Sequence, residues 1–560
     1  MAFLFNWIRG SPTQPKRIPS DVVIPLHHAD SNAMLATIVT DVSLQFDSVL
    51  DVDRLVHALK KLVEKLGWRK LGARLRRTVC SYQYNITTIG LNLRQKSGGY
   101  EYHVPIEFNE ERPAFGFSHT KYDIGFSEHP IASKLPRPNG AVQVTGEPKE
   151  YRSLLVSENS PTKIEDWLYT DRAQLTLHFV SFTDTTLLTV TWPHTLMDLM
   201  SLHAIFNAWT DILEGRENDV PNIVGEDTDL LAALGDPPDP NPNCDDAIEE
   251  EDFILNGKEV TGWQYFRFVY NYLWDLFFTR DLEFRHIILP PSVLSALRSE
   301  ATSSLTTPSP TIPPPPTIPP STSSPTTPFI SDGDILTAWY IRLLTSCLPS
   351  TPHASPTRSI QIINVFNLRT LLTSTSPPLL PHRTAYIGNC WSMIQSFIPL
   401  HDLLTAPLGH LAARLRADLL AQTTRAQIIA RYRVQRAVEA RGGTPPLYGQ
   451  ADMQISPVSN WGKARLFDVD FGTAVLCGRG AGSGSGSGSG ERGGRARARG
   501  KPVVVLGDAT VKGAALRNCG NLTGVDGEGN VWVGGNLERG TWVNVERELG
   551  KYGGSGVVER

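Results

Sequence analysis

One segment of the chain combines residue types that could do acid–base chemistry at a workable spacing: Trp192-Pro193-His194-Thr195-Leu196-Met197-Asp198. A β-rich run ends, a histidine follows, and four residues later an aspartate opens a helical pattern. A neutral imidazole at a strand end can project into a cleft and take a proton from a hydroxyl or amine as that group attacks a carbonyl. Asp198 can orient the ring directly, as in a triad, or point away and pair with an arginine that fixes the turn. The spacing alone is weak: with 14 His in the chain, about one His-x-x-x-Asp is expected by chance. A second copy does occur, His119-Thr120-Lys121-Tyr122-Asp123. It follows no clear strand and opens no amphipathic helix, so it is read as a decoy. The bland reading of the first copy is a histidine in a turn, with Asp198 as a helix N-cap. A metal site on His194, Asp198 and His203 is disfavoured, because no third ligand has convincing spacing. No G-x-S-x-G motif appears, so direct transfer without a covalent enzyme intermediate is the simpler scheme.

The flanking patterns supply elements that could position these groups. Residues 35–46 alternate and read as a strand, and 51–66 read as an amphipathic helix with Leu55, Leu59, Leu62 and Leu66 on one face and Asp51 or Asp53 as cap. Residues 173–182 and 186–192 read as strands joined by a hairpin-length turn, and 198–213 as a helix. Further on, 331–344 reads as a helix, 359–368 as a strand, and 401–440 as one or two helices interrupted at Pro407. The aromatic run 263–278 is expected to be a helix buried between lobes. Its alternative, a membrane-surface helix, lacks lysines on a polar face.

The chain has 560 residues, too long for one compact domain. The acidic, Pro-rich stretch 236–251 is taken as a linker between a 1–235 lobe and a 252–560 lobe. The Thr/Ser/Pro-rich segment 301–328 and the Gly/Ser/Arg-rich segment 479–500 are expected to be disordered insertions. A Pro-rich docking motif in the first and an RNA contact in the second are the disfavoured readings. The formal net charge is −4, which argues against a protein built to hold nucleic acid. The six cysteines form no Cys-x-x-Cys pair and suit a reducing compartment, so a cytoplasmic location is expected. The N-terminal residues do not read as a signal peptide, and no apolar stretch reaches the ~20 residues that span a bilayer.

Several segments, in order, resemble the BAHD-type acyl-coenzyme A-dependent acyltransferases, in particular the fungal branch similar to trichothecene 3-O-acetyltransferase. Leu71-Gly-Ala-Arg-Leu75 resembles the family's "AGRL" block, and 175–209 its strand–strand–HxxxD–helix block with a trailing "F..AW". Residues 329–339 resemble the opening of the second lobe's helix, and Asn367-Leu368-Arg369 the Arg-bearing strand. Tyr386-Ile-Gly-Asn-Cys390 resembles "YFGNC". Ser459-Asn-Trp461-Gly-Lys463 with Asp468-Val-Asp470-Phe471-Gly472 resembles "SW…DFGWG".

The resemblance implies an α/β (α+β) fold of two lobes of the chloramphenicol-acetyltransferase type, with mixed sheets, flanking helices and a channel between. It implies acyl-CoA as co-substrate and an alcohol or amine acceptor on a small specialised metabolite, with no permanent cofactor, no metal and a monomer. His194 would be the general base. Asp198 would be structural and paired with Arg369, while Asp470, Phe471 and Gly472 would support the lobe interface on the coenzyme side. The chain departs from the family pattern at Thr473 and Ala474, where a Trp and a Gly are usual. Two alternatives use the same scaffold. One is a non-catalytic CoA or small-molecule binding module. The other is a condensation-type domain, whose His-His-x-x-x-Asp-Gly is Pro193-His194 to Asp198-Leu199 here.

Overall fold

A computed structural model describes residues 13–78, 99–232, 234, 251–278, 282–306, 329–374, 378–441, 443, 445–476, 500–511 and 517–552. Nearly all of the acidic stretch 236–251, the Pro-rich segment from 307 and the Gly/Ser segment to 499 therefore lie outside the described residues.

Two mixed sheets organise the fold. The first has five strands in the order Val504–Val511, Ile38–Phe46, Thr186–Pro193, Thr176–Ser181, Gly116–Lys121. Its pairs are antiparallel except the last, which is parallel. The second has seven strands in the order Trp391–Pro399, Ser359–Asn367, Gln454–Asn460, Cys519–Val525, Val531–Glu538, Leu282–Leu289, Gln143–Val144. Both the Ile38–Phe46 and Thr186–Pro193 strands are buried along their whole length, which places layers on both faces of the first sheet. Helix Val52–Glu64 packs on it with Leu55, Leu59 and Leu62 fully buried, and the Asp51 carboxylate accepts the Arg54 N–H at 3.0 Å as N-cap. Leu66, expected on that apolar face, lies past the helix end and is 88 % exposed.

The 401–440 region forms three helices rather than one or two: Leu400–Thr405, Leu408–Gln422 and Arg425–Ala440. Pro407 caps the second and Thr424 the third, each cutting the run where a new N-terminus is favoured. The start of the 301–328 segment is ordered: helix Pro291–Ser304 runs into it and buries Ala301, because the helical pattern of residues 291–300 continues until the proline-rich run begins. His119 sits within the edge strand Gly116–Lys121, which sequence patterning missed, and bonds Ser181 across to the next strand at 2.9 Å. Its motif opens no helix.

Two expectations about organisation need correction. The linker at 236–251 does not partition the sheets, because the strand after the Gly/Ser segment, Val504–Val511, pairs with Ile38–Phe46 in the first sheet. Conversely, Gln143–Val144 adds to the edge of the second sheet. The aromatic helix Gly262–Phe278 is not buried between lobes. Trp263, Phe266, Tyr270 and Trp274 are 80, 62, 62 and 56 % exposed, while Tyr265, Phe268 and Tyr272 border the central cavity. Aromatic residues occupy more of its circumference than one buried stripe can absorb. Asn271 donates to the Ala451 carbonyl at 3.2 Å and Asp275 pairs with Arg517 at 2.6 Å, which fixes the helix along the cavity edge.

The crossing strand also holds a side chain of the cavity wall. A Cβ on Gly507 would stand 2.0 Å from the Trp461 ring, so the indole lies directly on that backbone. Gly507→Ala is expected to push Trp461 off the strand at a cost of about 1–3 kcal/mol, read as a lower unfolding midpoint in denaturant.

Candidate active site

His194 follows the last residue of strand Thr186–Pro193, where its N–H still donates to the Ile38 carbonyl at 3.0 Å. That bond continues the sheet ladder by one residue and fixes where the side chain leaves the strand. The ring is half-buried and lines a cavity of about 2010 Å³. Trp192, Leu199 and Ile38 of the first lobe line this cavity, and Phe366, Trp391 and Ser459 line it from strands of the second sheet or the ends of those strands. The Nδ1 atom is buried without a hydrogen-bond partner, so Nε2 is the ring nitrogen left to meet a molecule in the cavity. Burial holds the His194 pKa below its ordinary value of 6.5, opposed by its own backbone carbonyl, by the charge of Asp198, by Asn389 and by Asp30. The ring is therefore neutral at pH 7 and able to accept a proton.

Asp198 does not reach toward the ring; it caps helix Leu199–Leu213 by accepting the Ser201 N–H at 2.9 Å. Arg369 grips it with two nitrogens, at 2.8 and 2.9 Å. The Cys390 N–H donates to the same carboxylate at 3.0 Å, and Arg369 also donates to the Tyr386 and Gly388 carbonyls at 3.1 and 3.0 Å. Burial alone would raise the Asp198 pKa, but the Arg369 charge and these hydrogen bonds hold it below the ordinary carboxylate value. This forked pair clamps the turn after His194 to the loop 386–390 of the other lobe. Arg369 opens the short helix Arg369–Thr373 rather than lying in the strand, which ends at Asn367.

Asp470, Phe471 and Gly472 lie outside the cavity lining. Phe471 is fully buried against Trp209, Phe46 and Phe206, with ring centroids at 5.0, 5.7 and 6.3 Å, and Asp470 accepts the Gly472 N–H at 2.8 Å. The loop thus braces helix Leu199–Leu213 from behind, and Thr473 and Ala474 continue it into a contact with the Asp51 N–H at 2.7 Å. His203, the third residue of the disfavoured metal set, bonds Asn207 on its own helix at 3.1 Å. Among the described residues no group of three or more His, Cys, Asp or Glu could hold a metal ion.

Sequence reading missed a second set of contacts. Asn389 donates its amide to the His194 carbonyl at 2.8 Å, and the Tyr102 hydroxyl donates to the Thr195 carbonyl at 2.6 Å. The signal for Asn389 was its place in the Tyr386–Cys390 block; nothing local marks Tyr102. Cys390 is buried at this junction, and burial pushes its thiol up to about 12. Alkylation of the folded protein at pH 8 is expected to leave Cys390 unmodified by peptide mapping and to label it after denaturation.

No protein-family profile matches the chain. Among curated proteins it is 33% identical over 544 residues to Acetyltransferase adrJ of Penicillium rubens, covering 97% of this chain and 98% of that one. It is 32% identical over 562 residues to Acetyltransferase sphE of Aspergillus fumigatus, covering 98% of each. A relative named Transcriptional regulator calD, of Penicillium decumbens, is 31% identical over 548 residues, covering 98% of this chain and 99% of that one. The fold matches the crystal structure of Fusarium sporotrichioides TRI101 complexed with coenzyme A and T-2, with a TM-score of 0.59 at 14% identity over 95% of this chain and 98% of that one. The chain belongs to the BAHD-type acyltransferase family, in its fungal branch, and is a transferase.

Proposed function

We propose that the protein transfers an acyl group from coenzyme A directly to a hydroxyl or amine of a small specialised metabolite, with His194 as general base. The observation that carries this reading is a neutral imidazole at a strand end, half-buried in a cavity walled by both sheets. His194 Nε2 takes the proton of the acceptor as its oxygen or nitrogen attacks the thioester carbonyl. The new C–O or C–N bond forms, the tetrahedral intermediate collapses, the C–S bond breaks, and the imidazolium returns its proton to the departing CoA thiolate. No side-chain nucleophile is needed, and the cavity supplies proximity. Asp198 and Arg369 keep the base in place without touching the proton, and Asp470 to Gly472 support the helix behind it.

The relatives' names as acetyltransferases and the coenzyme A in the TRI101 complex support the donor, and T-2 there supports a small-molecule acceptor. We take the chain to act as one monomer in the cytoplasm, its 1–235 and 252–560 parts exchanging strands Gln143–Val144 and Val504–Val511 between the two sheets. The few, separated cysteines and a described region with no helix long and apolar enough to cross a membrane fit that placement. Incubating the purified chain with a panel of acyl-CoAs and hydroxylated or amino acceptors, and following free thiol release, tests the reading. Acceptor-dependent release with one donor supports it, and CoA binding with no turnover across the panel counts against it.

A further inference from the structure

We infer that Asp30, paired with the buried Lys70, is a positioning residue that sets His194 through Asn389. Asp30, Lys70 and Asn389 are 0, 1 and 0 % exposed, and none belongs to the Asp198–Arg369 clamp. One oxygen of Asp30 accepts both the backbone N–H of Asn389 at 2.7 Å and its side-chain amide at 2.9 Å. That amide's second hydrogen is what reaches the His194 carbonyl at 2.8 Å. The amide oxygen accepts the indole Nε1–H of Trp391 at 3.3 Å, so the orientation of Asn389 is fixed from both ends. The other Asp30 oxygen has no hydrogen bond and faces the Lys70 ammonium at 3.5 Å. Lys70 donates to the Ile387 carbonyl at 2.9 Å and lies 5.0 Å from the centroid of the Tyr102 ring, whose hydroxyl holds the Thr195 carbonyl.

Removing a buried carboxylate and ammonium from water is costly, and a pair of this kind is weak evidence of stabilisation. Its geometry instead specifies one arrangement of the backbone on either side of His194. The Asp198–Arg369 clamp fixes the chain four residues after the base; the Asp30–Lys70 pair fixes the carbonyl of the base itself. An imidazole that rotates or shifts by a fraction of an ångström loses its alignment with the acceptor proton, so the consequence falls on turnover and not on substrate affinity.

The inference rests on His194 as the base, and the two can fail separately. The test is a double-mutant cycle on the purified enzyme with Asp30→Ala, Asn389→Ala and the double variant. Each single change is expected to lower kcat more than tenfold, with the KM for acyl-CoA and the equilibrium binding of CoA within threefold. The double variant is expected to fall no more than threefold below the worse single variant, because Asp30 acts through Asn389. Multiplicative losses, an unchanged kcat in a folded Asp30→Ala protein, or a rise in KM equal to the fall in kcat/KM would each overturn it. Where Asp30→Ala does not fold, D30A/K70M takes its place, since it removes the acceptor together with the ammonium that would otherwise be left buried without its partner. Failure of that variant to fold as well would make the pair a folding device and overturn the positioning role. An active His194→Ala enzyme, by contrast, would overturn the function and leave this geometry without a base to position.

Discussion

His194→Ala is expected to lower kcat by about 10³-fold, the middle of the range for loss of a positioned general base. Stability should barely change. The ring is half-buried at the cavity wall, its Nδ1 makes no hydrogen bond, and its backbone bonds to Ile38 and Asn389 survive truncation. The KM for acyl-CoA should stay within a few-fold, since the imidazole meets the acceptor's proton. Circular dichroism and a denaturant midpoint matching wild type, together with the loss of thiol release, make up the expected result. Substantial turnover in the folded variant would remove the general-base assignment.

Asp198→Ala should instead act on the fold. It leaves the Arg369 guanidinium buried without its carboxylate, strips the acceptor from Cys390 N–H and removes the cap of helix Leu199–Leu213. Breaking one side of a buried pair costs about 3–5 kcal/mol, enough to cut soluble yield sharply. Asp198→Asn keeps the shape and one acceptor and should cost less. The pH dependence follows from the direction of the Asp198 shift. Its folded pKa lies below the ordinary value of 3.8, so its stabilisation is complete above pH 3.8 and is lost as pH falls from there through the folded value. Between those limits the wild-type unfolding midpoint should drop with pH more steeply than that of Asp198→Asn. A folded Asp198→Asn enzyme with unchanged stability and a displaced pH–rate profile would assign Asp198 to the triad role instead.

Much of this was legible in the sequence because it is local. The strand that ends at Pro193, the turn and the capped helix after Asp198 are successive residues whose periodicity switches from two to helical, so both the place of His194 at the strand end and the Asp198 cap could be read directly. The Asp198–Arg369 contact spans 171 positions, and only the family resemblance suggested it. Asp30, Lys70, Tyr102 and Asn389 form a network of single contacts between distant segments, and no spacing rule brings such residues together. The aromatic helix misled for a different reason. Apolar content predicts burial only where a partner surface exists, and Trp263 and Phe266 have none among the described residues. The crossing of Val504–Val511 into the first sheet was hidden because linker composition says nothing of which sheet the next strand joins.

The pH dependence of kcat/KM for the wild-type enzyme tests the central claim most directly, because it reports the free enzyme's essential groups. A base that burial keeps neutral predicts full activity at pH 7 and a single acid limb whose midpoint lies below 6.5. That limb should be missing from the residual activity of His194→Ala. An acid limb centred above pH 7, or one that persists unchanged in His194→Ala, would show that the transferred proton goes elsewhere.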